Sequence, residues 1–129
     1  MPRSGRFGKY NYWTPFHITV DVGAADRIFT FFIPAKMQIE AVYLAAAAAD
    51  STDKVAPILA AVTASTSRTL MSSQTAVVAA DTPTTYTTFD SGKSGELRTG
   101  DYLKVTLDFS GTAANVKGVV CTVWCSLIR

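Results

Sequence analysis

The clearest chemical motif in the chain is a short imitation of a phosphate-binding loop. Gly92-Lys93-Ser94 has the glycine, lysine and hydroxyl that end such a loop, where backbone N–H groups and the lysine hold phosphate oxygens. That loop also needs a glycine five residues before Gly92, and position 87 is Thr87. The same residues imitate a nucleophile elbow, but Glu96 stands where its closing glycine is required. Neither motif is complete, so neither predicts an active site.

The other candidates for chemistry are carboxylates in predicted turns and a single histidine. Paired carboxylates can act as acid and base in glycoside hydrolysis, but no spacing in the sequence brings two of them together. His17 falls on the solvent side of a predicted strand, where a solvated side chain is expected rather than a metal ligand. We therefore expect no enzymatic activity, no cofactor and no metal site. The carboxylates are Asp50, Asp53, Asp81, Asp90, Glu96 and Asp101.

The two cysteines, Cys121 and Cys125, lie four residues apart in one predicted strand. A strand rises about 3.3 Å per residue, which separates their Cα atoms by about 13 Å. A disulfide requires Cα atoms within about 7 Å of each other. We therefore expect two buried, reduced and inert thiols.

The first 13 residues combine cations with aromatic side chains and have no strand or helix period. They predict a flexible N-terminal arm, residues 1–13, ahead of a single domain of residues 14–129. An unused disordered terminus is the simpler interpretation, but such tails are usually poor in aromatics. Stacking on single-stranded nucleic acid is another, although three cations are few for a phosphate backbone. We expect the arm to bind a protein partner through Arg3, Arg6, Phe7, Lys9, Tyr10, Tyr12 and Trp13.

The structural elements are predicted most clearly in the last third of the chain. Apolar residues at odd positions from Leu103 to Phe109 alternate with polar ones, which predicts a strand with one buried face. Residues 119–128 are apolar or small on both parities, which predicts a central strand covered by another sheet or by an oligomer. Ser110-Gly111-Thr112 and Asn115 predict a turn that joins the two strands as a hairpin.

Six further strands are expected before this pair, separated by turns about every ten residues. The alanine run 45–49 has high helix propensity, but the period of two that leads into it favours a strand. The sequence therefore predicts an all-β, jelly-roll-like β-sandwich of about eight antiparallel strands, with a small barrel as the alternative. The expected strands cover residues 14–22, 27–33, 37–46, 54–64, 69–78 and 84–90, with a turn at 65–68.

The composition is unusually poor in charge. Only 17% of the residues are charged and 48% are hydrophobic, where soluble domains carry about 25% charged residues. We interpret this as a surface partly buried against other chains, although alanine, serine and threonine could also form an uncharged surface. The net charge of +2 is too small to predict nucleic-acid binding. No stretch reaches the ~18 apolar residues of a membrane helix, and no apolar segment predicts a signal peptide near the N-terminus.

Three stretches of the chain resemble the capsid decoration (cement) proteins and related head or tail fibre domains of tailed bacteriophages. Phe32 to Val42 is similar to a segment of those domains in which an apolar residue, Ile and Pro are followed by Ile after four residues and by Val after two more. Leu97 to Val105 is similar to their Gly-Asp strand opening, and Asp108 to Ala114 to the connector before their last strand. The run Ala45 to Ala49 departs from that pattern.

The resemblance implies a structural role on a virion. Such proteins, often homotrimers, lie on the capsid exterior and clamp neighbouring subunits of the major capsid protein, with a terminal arm across the joint. Assembly in the host cytoplasm would suit the reduced cysteines. The expected partners are therefore the major capsid protein and other copies of the chain, with no nucleic acid and no membrane. The alternative is a receptor- or carbohydrate-binding module of a phage head or tail fibre.

Overall fold

The computed structural model describes residues 13–64, 66–72 and 74–128 of the chain. These residues form two antiparallel sheets, which confirms the predicted all-β sandwich. A short 3₁₀ turn, Ala113–Asn115, precedes the last strand. The strands are β1 (Trp13–Val22), β2 (Arg27–Phe32), β3 (Met37–Ala45), β4 (Lys54–Thr63), β5 (Thr66–Met71), β6 (Thr84–Tyr86), β7 (Glu96–Leu97), β8 (Tyr102–Ser110) and β9 (Lys117–Leu127).

The strands pair in a nested order. The first sheet has the order β1-β9-β3-β6, with β7 also paired to β3, and the second has the order β2-β8-β4-β5. Along the chain, β4 pairs with β5, β3 with β6, β2 with β8, and β1 with β9. Each pair therefore encloses the previous one, and successive pairs alternate between the two sheets.

One core lies between the sheets, and the period-two residues of the sequence fill it. Leu103, Val105 and Leu107 of β8 have no exposed surface, as the alternation predicted. They belong to the same cluster as inward residues of the first sheet, so both sheets share one core. Phe16 of β1 and Phe31 of β2 meet between the sheets with ring centroids 4.9 Å apart. Each buried leucine contributes about 1.5–3 kcal/mol, so this alternation is a main source of stability.

The predicted hairpin between the last two long strands is wrong. β8 and β9 both form, but β8 lies between β2 and β4 in the second sheet, and β9 lies between β1 and β3 in the first. Gly111, with a φ of +75°, and the 3₁₀ turn lead the chain from one sheet to the other. The crossing places each strand in the interior of its sheet, between two neighbouring strands.

The outer face of β9 is less covered than its sequence predicted. Cys121, Val123 and Cys125 are fully buried on the inner face, whereas Val120 on the outer face is 47% exposed. Trp124 on that outer face is half-buried. Cover of this face by another copy of the chain therefore stays a prediction.

The alanine-rich middle of the chain also differs from its prediction. β3 ends at Ala45, and the rest of the run forms neither strand nor helix. Ala48 makes an isolated bridge with Lys117, and the carbonyl oxygen of Ala46 accepts from the N–H of Asp81. Alanine has little β-propensity, so the sheet contacts and not the residue type set the end of this strand.

The predicted turn at residues 65–68 is wrong, because Thr66 to Arg68 already belong to β5. Thr66 pairs with Thr63, and Arg68 pairs with Ala61. The chain reverses at Ala64, whose φ is +53°. β5 then ends at Met71, and among the described residues where the strand was expected to continue, Val77 forms an isolated bridge with Val55.

Candidate attachment end and its cation-lined pocket

The predicted partner-binding residues fall almost entirely outside the described part of the chain. Arg3, Arg6, Phe7, Lys9, Tyr10 and Tyr12 lie there. The backbone of Trp13 is described, and it is the first residue of β1, paired with Ser126 of β9. The sandwich therefore begins one residue before the predicted boundary at Thr14, and the structure fixes where residues 1–12 join it.

A row of paired residues leads from this junction across the first sheet. Trp13 pairs with Ser126, Ser126 with Gln38, and Gln38 with Glu96. Neighbouring strands are about 4.8 Å apart, so the backbone of Glu96 is about 15 Å from the point where the arm enters. The arm and the surroundings of Glu96 thus share one end of the sandwich, which we call the arm end.

An open pocket of about 560 Å³ lies at the arm end. It forms where the turn between β4 and β5 meets the loops on either side of β7. Three of its lining side chains are cations and three are hydroxyls, and none is a carboxylate. The lining residues are Thr63, Ala64, Thr66, Ser67, Arg68, Lys93 and Arg98.

The cations of the pocket are only partly neutralised. Arg98 Nε lies 3.7 Å from Glu96 Oε1, and the other oxygen of Glu96 lies 3.3 Å from Lys36 Nζ. One carboxylate is therefore shared between two cations. Lys93 is exposed and forms no ion pair with any residue that the structure describes. The pocket keeps a net positive charge and has free N–H donors.

A buried carboxylate supports the pocket from inside. Asp101 is 1% exposed, and its oxygens accept from the hydroxyl of Thr63 and, at 3.1 Å, from the backbone N–H of Arg98. Arg68 Nη2 lies 3.9 Å from Asp101 and donates to the carbonyl oxygen of Glu96 at 2.9 Å. These contacts fix three walls of the pocket relative to one another, because a buried carboxylate holds its donors strongly.

Charge is distributed unequally between the two ends. Lys36, Arg68, Lys93 and Arg98 at the arm end are four of the eight lysines and arginines between residues 13 and 128, and four carboxylates lie at the same end. These are Glu40, Asp90, Glu96 and Asp101, so the described charges balance at the arm end, whereas the opposite end is acidic. At the opposite end the carboxylates crowd one another: burial, and the neighbouring Asp26, raise the pKa of Asp108. The carboxylates at that end are Asp21, Asp26, Asp50, Asp53, Asp81 and Asp108.

The outer face of the second sheet carries large apolar side chains. Phe32 and Tyr102 are paired across β2 and β8, with ring centroids 5.9 Å apart in an edge-to-face arrangement. They are 58% and 50% exposed, and Ile28 on the same strand as Phe32 is 56% exposed. Isolated exposed apolar residues are ordinary, but a neighbouring pair of aromatic rings favours a contact surface.

The cysteines and the histidine lie as the sequence predicted. Cys121 and Cys125 are unpaired and buried on the inner face of β9, and burial raises the pKa of both thiols to about 12. His17 is exposed, and its Nδ1 is 3.1 Å from the hydroxyl oxygen of Thr122.

Among the described residues there is no group of three or more potential metal ligands, and no helix that could span a bilayer.

Sequence reasoning missed the pocket, although its cations were visible. In the sequence Lys93 belongs to an incomplete phosphate-binding motif, and Arg68 falls in the predicted turn at residues 65–68. A signal did exist, because in an antiparallel sandwich alternate turns lie at the same end. This signal assigns a turn to one end of the sandwich only when the number of strands before that turn is known.

Comparisons of this chain with protein-family models, with curated proteins and with solved structures find no match.

Proposed function

We propose that this protein is a virion structural protein that binds the outside of a phage capsid and stabilises contacts between major capsid subunits. One structural relationship carries the proposal. The arm, residues 1–12 with three cations and three aromatic residues, joins the sandwich at Trp13, at the end where the cation-lined pocket lies. An arm with three cations and a pocket lined by three cations on the same end suit attachment to an acidic surface.

The finer architecture that we propose is a jelly roll with an extended N-terminal arm. The nested pairing of β1 with β9, β2 with β8, β3 with β6 and β4 with β5 supports it, because the pairs alternate between two sheets of four main strands. Viral capsid domains and lectins use this arrangement. The fold alone does not select a function, so the proposal depends on the arm end.

Attachment through the arm combines two kinds of contact. Burial of an aromatic side chain contributes about 1.5–3 kcal/mol before the cost of ordering the chain. Exposed ion pairs of Arg3, Arg6 and Lys9 with shell carboxylates would each contribute less, about 0.2–1 kcal/mol. The aromatic residues therefore supply most of the affinity, and the cations supply orientation and association rate.

We also propose that the protein forms a homotrimer. The low charge of 17% and the exposed pair Phe32 and Tyr102 support self-association. Three attached arms would bind far more tightly than one, because the first contact raises the local concentration of the others. Light scattering at micromolar concentration tests this, and we expect three times the chain mass of 13.8 kDa. A monomer under these conditions would contradict a stable trimer.

The experiment that tests attachment is co-sedimentation with undecorated capsids. The full chain is compared with a variant that lacks residues 2–12, which keeps Trp13 and therefore all of β1. We expect the variant to keep its thermal unfolding temperature and β-sheet circular dichroism but to lose most of its sedimentation with capsids. Equal sedimentation of both proteins would exclude the arm as the anchor, and absence of sedimentation by both would contradict the proposed function.

The second candidate is a receptor- or carbohydrate-binding module of a phage head or tail fibre. The observation in its favour is the open pocket at one end of the sandwich, with the hydroxyls of Thr63, Thr66 and Ser67 in its wall. A screen against immobilised glycans tests this candidate. Binding of a glycan that depends on these hydroxyls, without sedimentation on capsids, would favour it over attachment.

A further inference from the structure

We infer that the cation-lined pocket receives an acidic segment of the protein partner, a loop or terminus that carries at least two carboxylates. The identity of the partner as a shell subunit rests on the proposed function. The chemistry of the pocket does not, because it follows from the side chains of the pocket itself.

The charges of the lining select an anion. Arg68, Lys93 and Arg98 all border the pocket, and no carboxylate is among its lining residues. Glu96 is close to Arg98 at 3.7 Å, but it also lies 3.3 Å from Lys36, so it neutralises neither cation fully. An incoming carboxylate would complete the charge balance that Glu96 leaves open.

The pocket is organised before any ligand arrives. Arg68 donates to the carbonyl oxygen of Glu96 at 2.9 Å and has the buried Asp101 behind it, so its guanidinium loses little freedom on binding. The backbone of Arg98 is held by the same carboxylate at 3.1 Å. A guanidinium fixed in this way can donate two parallel N–H groups to a carboxylate. Such preorganisation lowers the cost of binding.

The size and lining of the pocket favour a peptide segment over other anions. A volume of about 560 Å³ exceeds what one carboxylate or phosphate fills and matches a ligand of several residues or rings. The lining has no aromatic side chain on which a base or a sugar ring could stack. Its three hydroxyls can instead bond the backbone of a peptide as donors or acceptors.

The position of the pocket connects it with the arm. Both lie at the arm end, because the row Trp13, Ser126, Gln38 and Glu96 places Glu96, a neighbour of two pocket cations, about 15 Å from Trp13 along the sheet. One shell subunit could contact both, or two neighbouring subunits could each contact one. In either case the second contact benefits from the first through local concentration.

The direct test is titration of the full chain with a blocked hexaglutamate peptide, in which isothermal titration calorimetry measures the binding. A hexaglutamine peptide and inorganic phosphate serve as the other probes. The test variant is Lys93→Gln with Arg98→Gln, because both side chains are exposed and their loss leaves the core intact. The matched control is Lys54→Gln with Lys117→Gln, which removes two cations from the opposite end.

We expect binding of hexaglutamate by the wild type and the control, and about ten-fold weaker binding by the test variant, a difference that shrinks in high salt. Adding Arg68→Gln should weaken binding further, with unfolding measured in parallel because Arg68 also contacts Asp101. Equal affinity in test and control variants would overturn the inference. So would phosphate binding as tightly as hexaglutamate, which would make the pocket a small-anion site.

Capsid co-sedimentation then separates this inference from the proposed function. Reduced sedimentation of the Lys93→Gln, Arg98→Gln variant with its arm intact would support a shell segment as the ligand. Full sedimentation of that variant, together with loss on removal of residues 2–12, would overturn the shell segment as ligand and leave the attachment proposal standing. If the wild type does not sediment, the attachment proposal fails, and the peptide titration still decides what the pocket binds.

Discussion

The guanidinium of Arg68 lies 3.9 Å from the carboxylate of Asp101, and only one of the two reaches solvent. The side chain of Arg68 is 25% exposed and that of Asp101 is 1% exposed. Asp101 therefore contacts the buried side of the Arg68 guanidinium, and the other side of the guanidinium faces the pocket. The pair links β5 to the start of β8, so the pocket and the arm end of the second sheet share this support.

Replacement of Asp101 by alanine tests this support. Asp101→Ala removes the acceptor of the Thr63 hydroxyl and of the Arg98 N–H, and it leaves Arg68 without its buried partner. We expect the free energy of unfolding to fall by about 2–3 kcal/mol, because two part-buried hydrogen bonds to a charged acceptor are lost. Urea denaturation measures the change. The exposed Asp21→Ala is the control, with an expected change within about 0.5 kcal/mol.

Substitutions at two glycines allow the energetic costs of backbone strain and of steric overlap to be measured separately. Gly92 and Gly111 both have positive φ, +76° and +75°. A Cβ at position 92 would meet nothing within 4 Å, whereas a Cβ at position 111 would overlap with the carbonyl oxygen of Thr52. We expect Gly92→Ala to cost about 1–2 kcal/mol and Gly111→Ala about 2–5 kcal/mol of unfolding free energy. Equal costs would show that the crossing between the sheets can shift to make room.

The carboxylates opposite the arm end give a pH-dependent prediction. Burial and the neighbouring Asp26 raise the pKa of Asp108, so the folded protein binds a proton there more readily than the unfolded chain. The stability that the raised pKa of Asp108 contributes is fully present below the ordinary aspartate pKa of 3.8, and it is lost as the pH rises through the folded pKa. We expect Asp108→Asn to raise the melting temperature at pH 7 and to have no effect near pH 3.

Asp50 provides the control of opposite sign for that measurement. Its Oδ1 accepts from the N–H groups of Asp53 and Thr52, which lowers its pKa. The stability that it contributes is present above pH 3.8 and is lost as the pH falls through the folded pKa. Asp50→Ala should therefore lower the melting temperature at pH 7. If Asp108→Asn and Asp50→Ala both shift the melting temperature in the same direction, repulsion between Asp26 and Asp108 does not explain the effect of Asp108→Asn.

The cysteines should react only after unfolding. Burial raises the pKa of Cys121 and Cys125 to about 12, so almost no thiolate forms in the folded protein at pH 8. We expect a disulfide reagent to find no reactive thiol in the native protein and two after denaturation without reductant. Because the unfolded thiols ionise near pH 8.5, stability should also fall as the pH rises above that value toward 12. Fewer than two thiols after denaturation would indicate a disulfide between chains.

The sequence was sufficient to locate the long strands β1 to β4, β8 and β9, but not to bound β5 to β7 or to pair the strands. In β8 every second side chain is buried, so the period of two marks its extent directly. The connector after β8 could close a hairpin or cross to the other sheet, and its residue types permit both. The outcome depends on β1 to β4, which lie far away along the chain and occupy the positions beside β8 and β9. Such long-range competition leaves no local signal.

The pocket could not be predicted for a related reason. Its walls come from the β4–β5 turn and from the loops around β7, which are about 30 residues apart in sequence. Ala64 reverses the chain in a left-handed conformation that favours glycine or asparagine, so its residue type gave no turn signal. The arm differs, because its aromatic and basic residues were evident from composition alone, and their binding role is still a prediction.

The composition of the arm leads to the last prediction, which concerns what drives attachment to capsids. Phe7→Ala with Tyr10→Ala removes two aromatic side chains, and Arg3→Gln with Arg6→Gln and Lys9→Gln removes the three cations. Trp13 is left unchanged because its backbone begins β1. We expect the aromatic variant to lose more co-sedimentation than the cation variant, since burial of a ring exceeds an exposed ion pair in free energy. Raising the salt from low to high ionic strength should weaken the wild type toward the cation variant and leave the aromatic effect in place. A larger loss in the cation variant at every salt concentration would show that charge, and not aromatic burial, anchors the arm.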